Sequence, residues 1–135
     1  MIKKKIISVL GAAMVSMLAS NAMAQDKPNE LRVGISTYLS GSASVFGVPA
    51  KEAADIIIDN INSAGGIDGV KIVPTYIDEG GGSEKLLSEY RRLAESGTQV
   101  MLSAISSGHC NIVAPVAEDL KVLNILWDCG TEKVL

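Results

Sequence analysis

The side chains best suited to chemistry fall in two short stretches, Ser106-Ser107-Gly108-His109-Cys110 and Asp128-Cys129-Gly130-Thr131. His109, Cys110, Asp128 and Cys129 together make a donor set that zinc accepts. No C-x-x-C or H-E-x-x-H spacing supports a metal site, however, and His109 is the only histidine in the chain. A hydrolase needs a Ser or Cys beside a base that a third group orients, and G-x-S-x-G is missing. The stretch from Gly34 to Gly47 does not match G-x-G-x-x-G, and there is no P-loop. Hydroxyls and glycines without a partnered base suit binding better, because small residues let the backbone approach a ligand closely.

These stretches need elements to position them, and the apolar pattern supplies a regular alternation. Leu31 to Ser36 reads as a first strand, followed by a Gly and Ser cluster from Ser40 to Gly47. From Val48 to Asn62, Ala50, Ala53, Ala54, Ile57, Ile58 and Ile61 recur at helical spacing, and Gly65-Gly66 ends the helix. Val70 to Ile77 is a second strand, which Pro74 assigns to a sheet edge because it lacks a ladder donor. Ser83 is placed to cap a second helix through Leu86, Leu87, Tyr90, Leu93 and Ala94, closed by Gly97. Gln99 to Ala104 is strand three. A third helical face follows in Ile112, Val113, Val116, Ala117 and Leu120, with Pro115 tolerable near a first turn or at a kink. Val122 to Trp127 is strand four. The order βαβαβαβ predicts an α/β fold with a doubly wound parallel sheet.

Residues 1–24 read as a cleavable export signal: Lys3, Lys4 and Lys5, an apolar run from Ile6 to Leu18, then Ala22-Met23-Ala24. The run is shorter than the roughly 20 apolar residues that span a bilayer. No cysteine near Ala24 could take a lipid. Removing this segment takes three of the 12 basic residues against 15 acidic ones, leaving a net charge of −6. Nucleic acid and anionic membrane surfaces are poor partners for such a chain. In an oxidising compartment Cys110 and Cys129, each just past a neighbouring strand, would form a disulfide if their Cα atoms came within about 7 Å.

In an open parallel sheet, ligands gather beyond the carboxyl ends of the strands, where successive connections leave for opposite faces. The loops at that end are Thr37 to Gly47, Asp78 to Gly82, Ile105 to Cys110 and Asp128 to Thr131. Helix starts there would favour an anionic group such as a carboxylate.

From Leu31 to Leu135 the chain resembles the opening of the periplasmic solute-binding proteins of ABC importers, the branched-chain amino acid type. Four segments carry the resemblance. They are Leu39-Ser40-Gly41 with Phe46-Gly47, the run Asn60 to Gly69, Asp78 after strand two, and Ser106-Ser107-Gly108 with Ala114-Pro115-Val116-Ala117-Glu118. The resemblance implies a signal peptide over 1–24 and, over 25–135, part of the first of two lobes that close on a small molecule. It also implies periplasmic capture of a small polar solute for an inner-membrane permease, with no cofactor and no catalysis. Carried over to matching positions, Ser106, Ser107 and Gly108 would hold a ligand carboxylate with nearby amides. Asp128, Cys129 and Thr131 would meet its polar head, Phe46 would cover it, and His109 would be a pocket contact. Trp127-Asp128 and His109-Cys110 depart from the family's usual small residues, which leaves an amino acid, an amide or an aromatic or other carboxylic acid open as the solute. A ligand-sensing receptor of the same fold is the alternative reading, ahead of a zinc-dependent or hydrolytic enzyme.

Overall fold

A computed structural model describes residues 27–132. The expected export signal lies outside the described residues. The elements run β1 (Glu30–Thr37), α1 (Ser44–Ser63), β2 (Lys71–Asp78), α2 (Ser83–Glu95), β3 (Val100–Ser103), α3 (Ser107–Leu120) and β4 (Leu123–Leu126). A single 3-10 turn, Glu79–Gly81, links β2 to α2. All strand pairs are parallel and the sheet order is β2-β1-β3-β4. The βαβαβαβ reading is therefore correct. Pro74 sits opposite Val33 on β2, an edge strand, where one side has no ladder to interrupt.

The path from β1 to β2 runs one way across the sheet, and the path from β2 through β3 to β4 runs the other. Right-handed crossovers then place α1 on one face and α2 with α3 on the opposite face. Burial alternates accordingly along the strands. Ile77 and Met101 pack with Leu86, Tyr90, Leu93, Val113 and Val116 from α2 and α3. Their strand neighbours Tyr76 and Leu102 point to the other side, against Ile35, Ile58 and Ile72. Gly34 lets the thicker core close on β1, since a Cβ there would lie 2.4 Å from Met101 Sδ. Full burial of a side chain such as Leu86 stabilises the fold by about 1.5–3 kcal/mol.

The α1 face carries less cover. Beside the helix lies an open apolar groove of about 430 Å³, lined in part by Val33, Ala53, Ile57, Leu102 and Trp127. Trp127 thus belongs to this face of the sheet.

Two local expectations differ from the structure. α1 begins at Ser44, ahead of the expected Val48, because the Ser44 N–H and Oγ both donate to Gly41 O and close a first turn that Pro49 does not interrupt. Ser83 is the first residue of α2 and caps nothing; Gly82, at φ +87°, occupies the cap position in a conformation that serine adopts poorly. Pro115 lies in the third turn of α3, and the helix runs through it. Pro115 is on the exposed face of the helix, while Val113, Val116 and Ala117 stay buried.

Candidate functional site

The sheet reverses direction between β1 and β3, and a crevice of about 430 Å³ opens beyond their carboxyl ends. Tyr38, Ala43, Phe46, Ile105, Ser106 and Asp128 line it. Close backbone approach builds the first wall. Gly47 crosses so near Tyr38 that a Cβ would fall 2.0 Å from the Tyr38 carbonyl oxygen, and Thr37 Oγ1 donates to Gly47 O at 3.4 Å. This crossing leaves Phe46 on the rim, 72 % exposed.

The second wall is the start of α3. Ser106 is its N-cap, with extended backbone, and its Oγ accepts from the His109 N–H at 3.3 Å. The Cys110 N–H donates to Ser106 O at 2.9 Å. The N–H groups of this first turn and the aligned peptide dipoles favour negative charge here.

Beneath the walls lies a buried carboxylate that sequence reading passed over. Glu79 is 1 % exposed. Its Oε1 accepts from Ser36 Oγ at 2.8 Å and from Ile105 N–H at 3.2 Å, and its Oε2 lies 2.8 Å from His109 Nδ1. A buried carboxylate is tolerable only with such partners. His109, expected as a pocket contact, therefore turns inward, stacked against Tyr38 with ring centroids 5.7 Å apart. Tyr38 OH reaches Ser106 Oγ at 3.4 Å and His109 Nδ1 at 3.5 Å.

Asp78, next in sequence to Glu79, has a different task. It accepts from the Leu39, Ser40 and Gly80 N–H groups and from Ser40 Oγ, fixing the loop after β1. Among the other residues singled out from sequence, Gly108 is exposed in the first turn of α3 with open space around it. Ser107 Oγ would lie 3.5 Å from a Cβ at Gly130, next to the loop after β4. Cys129 is joined to Cys110 by a disulfide with Cα atoms 6.1 Å apart, and Thr131 lies half-buried in the same loop. The disulfide fastens the loop after β4 to the first turn of α3.

Both cysteines of the zinc donor set are thus engaged. Among the described residues, no three His, Cys, Asp or Glu side chains converge to hold a metal ion, and no helix is long and apolar enough to cross a membrane. Tyr38, Ala43 and Ile105 were not singled out from sequence. Tyr38 is two residues past the expected strand, where an isolated aromatic has no periodicity to place it. A buried Glu beside a visible Asp carries no pattern of its own.

An open α/β lobe with a crevice at its switch point, walled by a helix start and aromatic rings, is the architecture of a small-molecule binding domain. The family model described as periplasmic binding protein matches residues 30–132, and the chain belongs to that family. A Leu/Ile/Val-binding protein homolog 3 of Brucella melitensis is 26 % identical over 122 residues, covering 90 % of this chain and 31 % of the relative. The Leu/Ile/Val-binding protein BraC3 of Rhizobium johnstonii is 26 % identical over 82 % of this chain and 29 % of its own length. The chain thus spans about a third of the length of the curated relatives it matches. In fold it is similar to the branched-chain amino acid transporter substrate-binding protein LivJ of Streptococcus pneumoniae, solved with isoleucine. That likeness has TM-score 0.71 and 24 % identity, and covers 78 % of this chain and 30 % of the other. A Desulfitobacterium hafniense substrate-binding protein solved with Leu has TM-score 0.67 at 20 % identity, with 78 % and 30 % covered.

Proposed function

We propose that residues 25–135 form part of the first lobe of an ABC importer's substrate-binding protein. It captures a small polar solute in the periplasm, an amino acid, an amide or a carboxylic acid, and presents it to an inner-membrane permease. The crevice carries this reading. Ser106 at the start of α3, Tyr38, Phe46 and Asp128 line one volume of about 430 Å³. The helix start suits an anionic group and Asp128 a cationic one, as a zwitterion requires. The names of the curated relatives point to the same solute class.

The role is binding without catalysis. Cys110 is held in the disulfide with Cys129 and so is no thiol nucleophile. In the two-lobed protein, a solute held better by the closed state shifts the population toward closure, and the closed form is what a permease reads.

The test is a thermal-shift screen of the mature gene product against amino acids, aromatic acids, short amides and zinc. A rise in melting temperature with one solute class establishes the cargo. Stabilisation by zinc alone overturns the reading. Residues 25–135 by themselves offer one of the two lobes that would enclose the solute and should bind weakly or undetectably; binding at about 1 μM or tighter would contradict the two-lobed arrangement. Export predicts a mature N-terminus at Gln25, which mass spectrometry of the periplasmic fraction reads directly.

A further inference from the structure

We infer that Glu79 is a positioning residue of the crevice: through His109 and Tyr38 it fixes the direction of the hydrogen bonds, so that the Ser106 hydroxyl is left to donate to the solute. The inference rests on the solute-binding reading and narrows it to a solute whose group at Ser106 is an acceptor, a carboxylate above all.

Ser36 Oγ receives the Ala104 N–H at 2.8 Å and places its own proton on Glu79 Oε1, also at 2.8 Å. The Ile105 N–H contacts both Glu79 oxygens, at 3.2 and 3.4 Å. Donors therefore surround the side chain, as suits a carboxylate, which only accepts. His109 Nδ1, 2.8 Å from Oε2, must then carry a proton and donate it.

This settles the next bond. Tyr38 OH lies 3.5 Å from the same Nδ1, which has no lone pair left to accept, so the phenol proton turns to Ser106 Oγ at 3.4 Å. Ser106 Oγ also accepts the His109 N–H at 3.3 Å. A serine hydroxyl has two acceptor positions and one proton. With both acceptor positions occupied from the protein side, the remaining proton faces the crevice that Ser106 lines. A carboxylate there receives a charge-assisted bond, whereas a donor group meets another donor.

Alanine at position 79 would undo the direction. With no carboxylate to receive its proton, Nδ1 could take the bare tautomer and accept from Tyr38 OH, and Ser106 could turn its own proton to Tyr38.

Two measurements on the mature gene product test this. The first is the 15N spectrum of the His109 ring, which needs no solute. A proton on Nδ1, with or without one on Nε2, is the expected result; a bare Nδ1 in the folded protein overturns the inference. The second compares leucine with leucinamide as probes in wild type, Glu79→Ala and Tyr38→Phe. The wild type should prefer the acid by about tenfold, and each variant should lose most of that preference. Equal weakening toward both probes would mean that Glu79 merely supports the fold, and would overturn the inference. Tyr38→Phe keeps the stacked ring and reads the same bond should Glu79→Ala fail to fold. A wild type that binds neither probe counts against the solute-binding reading for amino acids, and the ring tautomer then decides the role of Glu79.

Discussion

Ser40 Oγ lies 2.6 Å from Asp78 Oδ2, tying the loop after β1 to the end of β2. Burial alone would raise the Asp78 carboxyl, but the Ser40 hydroxyl and the Gly80, Leu39 and Ser40 N–H groups outweigh it and hold the group at about 2. A depressed carboxyl stabilises the fold fully above its ordinary value of 3.8, and that contribution is lost as pH falls through about 2. Urea midpoints should therefore drop between about pH 4 and pH 2 in wild type, with a flatter profile in Asp78→Asn. At neutral pH the substitution should cost about 1 kcal/mol, the partial exposure of the group discounting a charge-assisted bond. An unchanged acid limb in the variant would remove Asp78 from the account.

The Cys110–Cys129 bridge, with a sequence separation of 19, ties the start of α3 to the loop after β4. Chain-entropy reasoning gives such a loop about 3 kcal/mol of stabilisation. Reduction, or Cys129→Ala, should lower the unfolding free energy by that order and weaken solute binding along with it. Titration of the oxidised, denatured protein should find no free thiol; two free thiols would refute the pairing.

Much of the architecture was legible because periodicity reports which faces are buried. The 3.6-residue spacing of Leu86, Tyr90 and Leu93 and the edge-strand proline Pro74 each follow from one local rule, and the structure bears out both. The start of α1 was not legible, since Phe46-Gly47-Val48-Pro49 contains two residues that usually break helices. The early start depends on the turn that Ser44 closes onto Gly41. Glu79 was illegible for a stronger reason. Its partners come from two separate segments, Ser36 from β1 and Ile105 with His109 from the stretch after β3, and only the sheet order brings them together.

Two glycines separate the demands of fold and site. At Gly47 a Cβ would meet the Tyr38 backbone at 2.0 Å, so Gly47→Ala must push α1 away from β1 and should cost about 2 kcal/mol or more. Gly108 has nothing within 4 Å of a built Cβ and lies in the first turn of α3, so Gly108→Ala should stabilise by about 0.4–1 kcal/mol. Chemical denaturation of both variants reads the contrast. A destabilised Gly108→Ala would show that the first turn of α3 is not the open helix described here.

Phe46 offers the clearest division between packing and recognition. A core aromatic truncated to alanine costs about 3–5 kcal/mol, but this ring is 72 % exposed and lines the crevice at its rim. Phe46→Ala should leave the unfolding free energy within about 0.5 kcal/mol of wild type. If the ring covers the solute, removing it uncovers apolar area on both partners, and affinity in the mature gene product should fall by about tenfold, equivalent to 1.4 kcal/mol. Calorimetric titration beside a denaturation curve separates the two quantities. A large stability loss with unchanged affinity would reverse the assignment and make Phe46 part of the core.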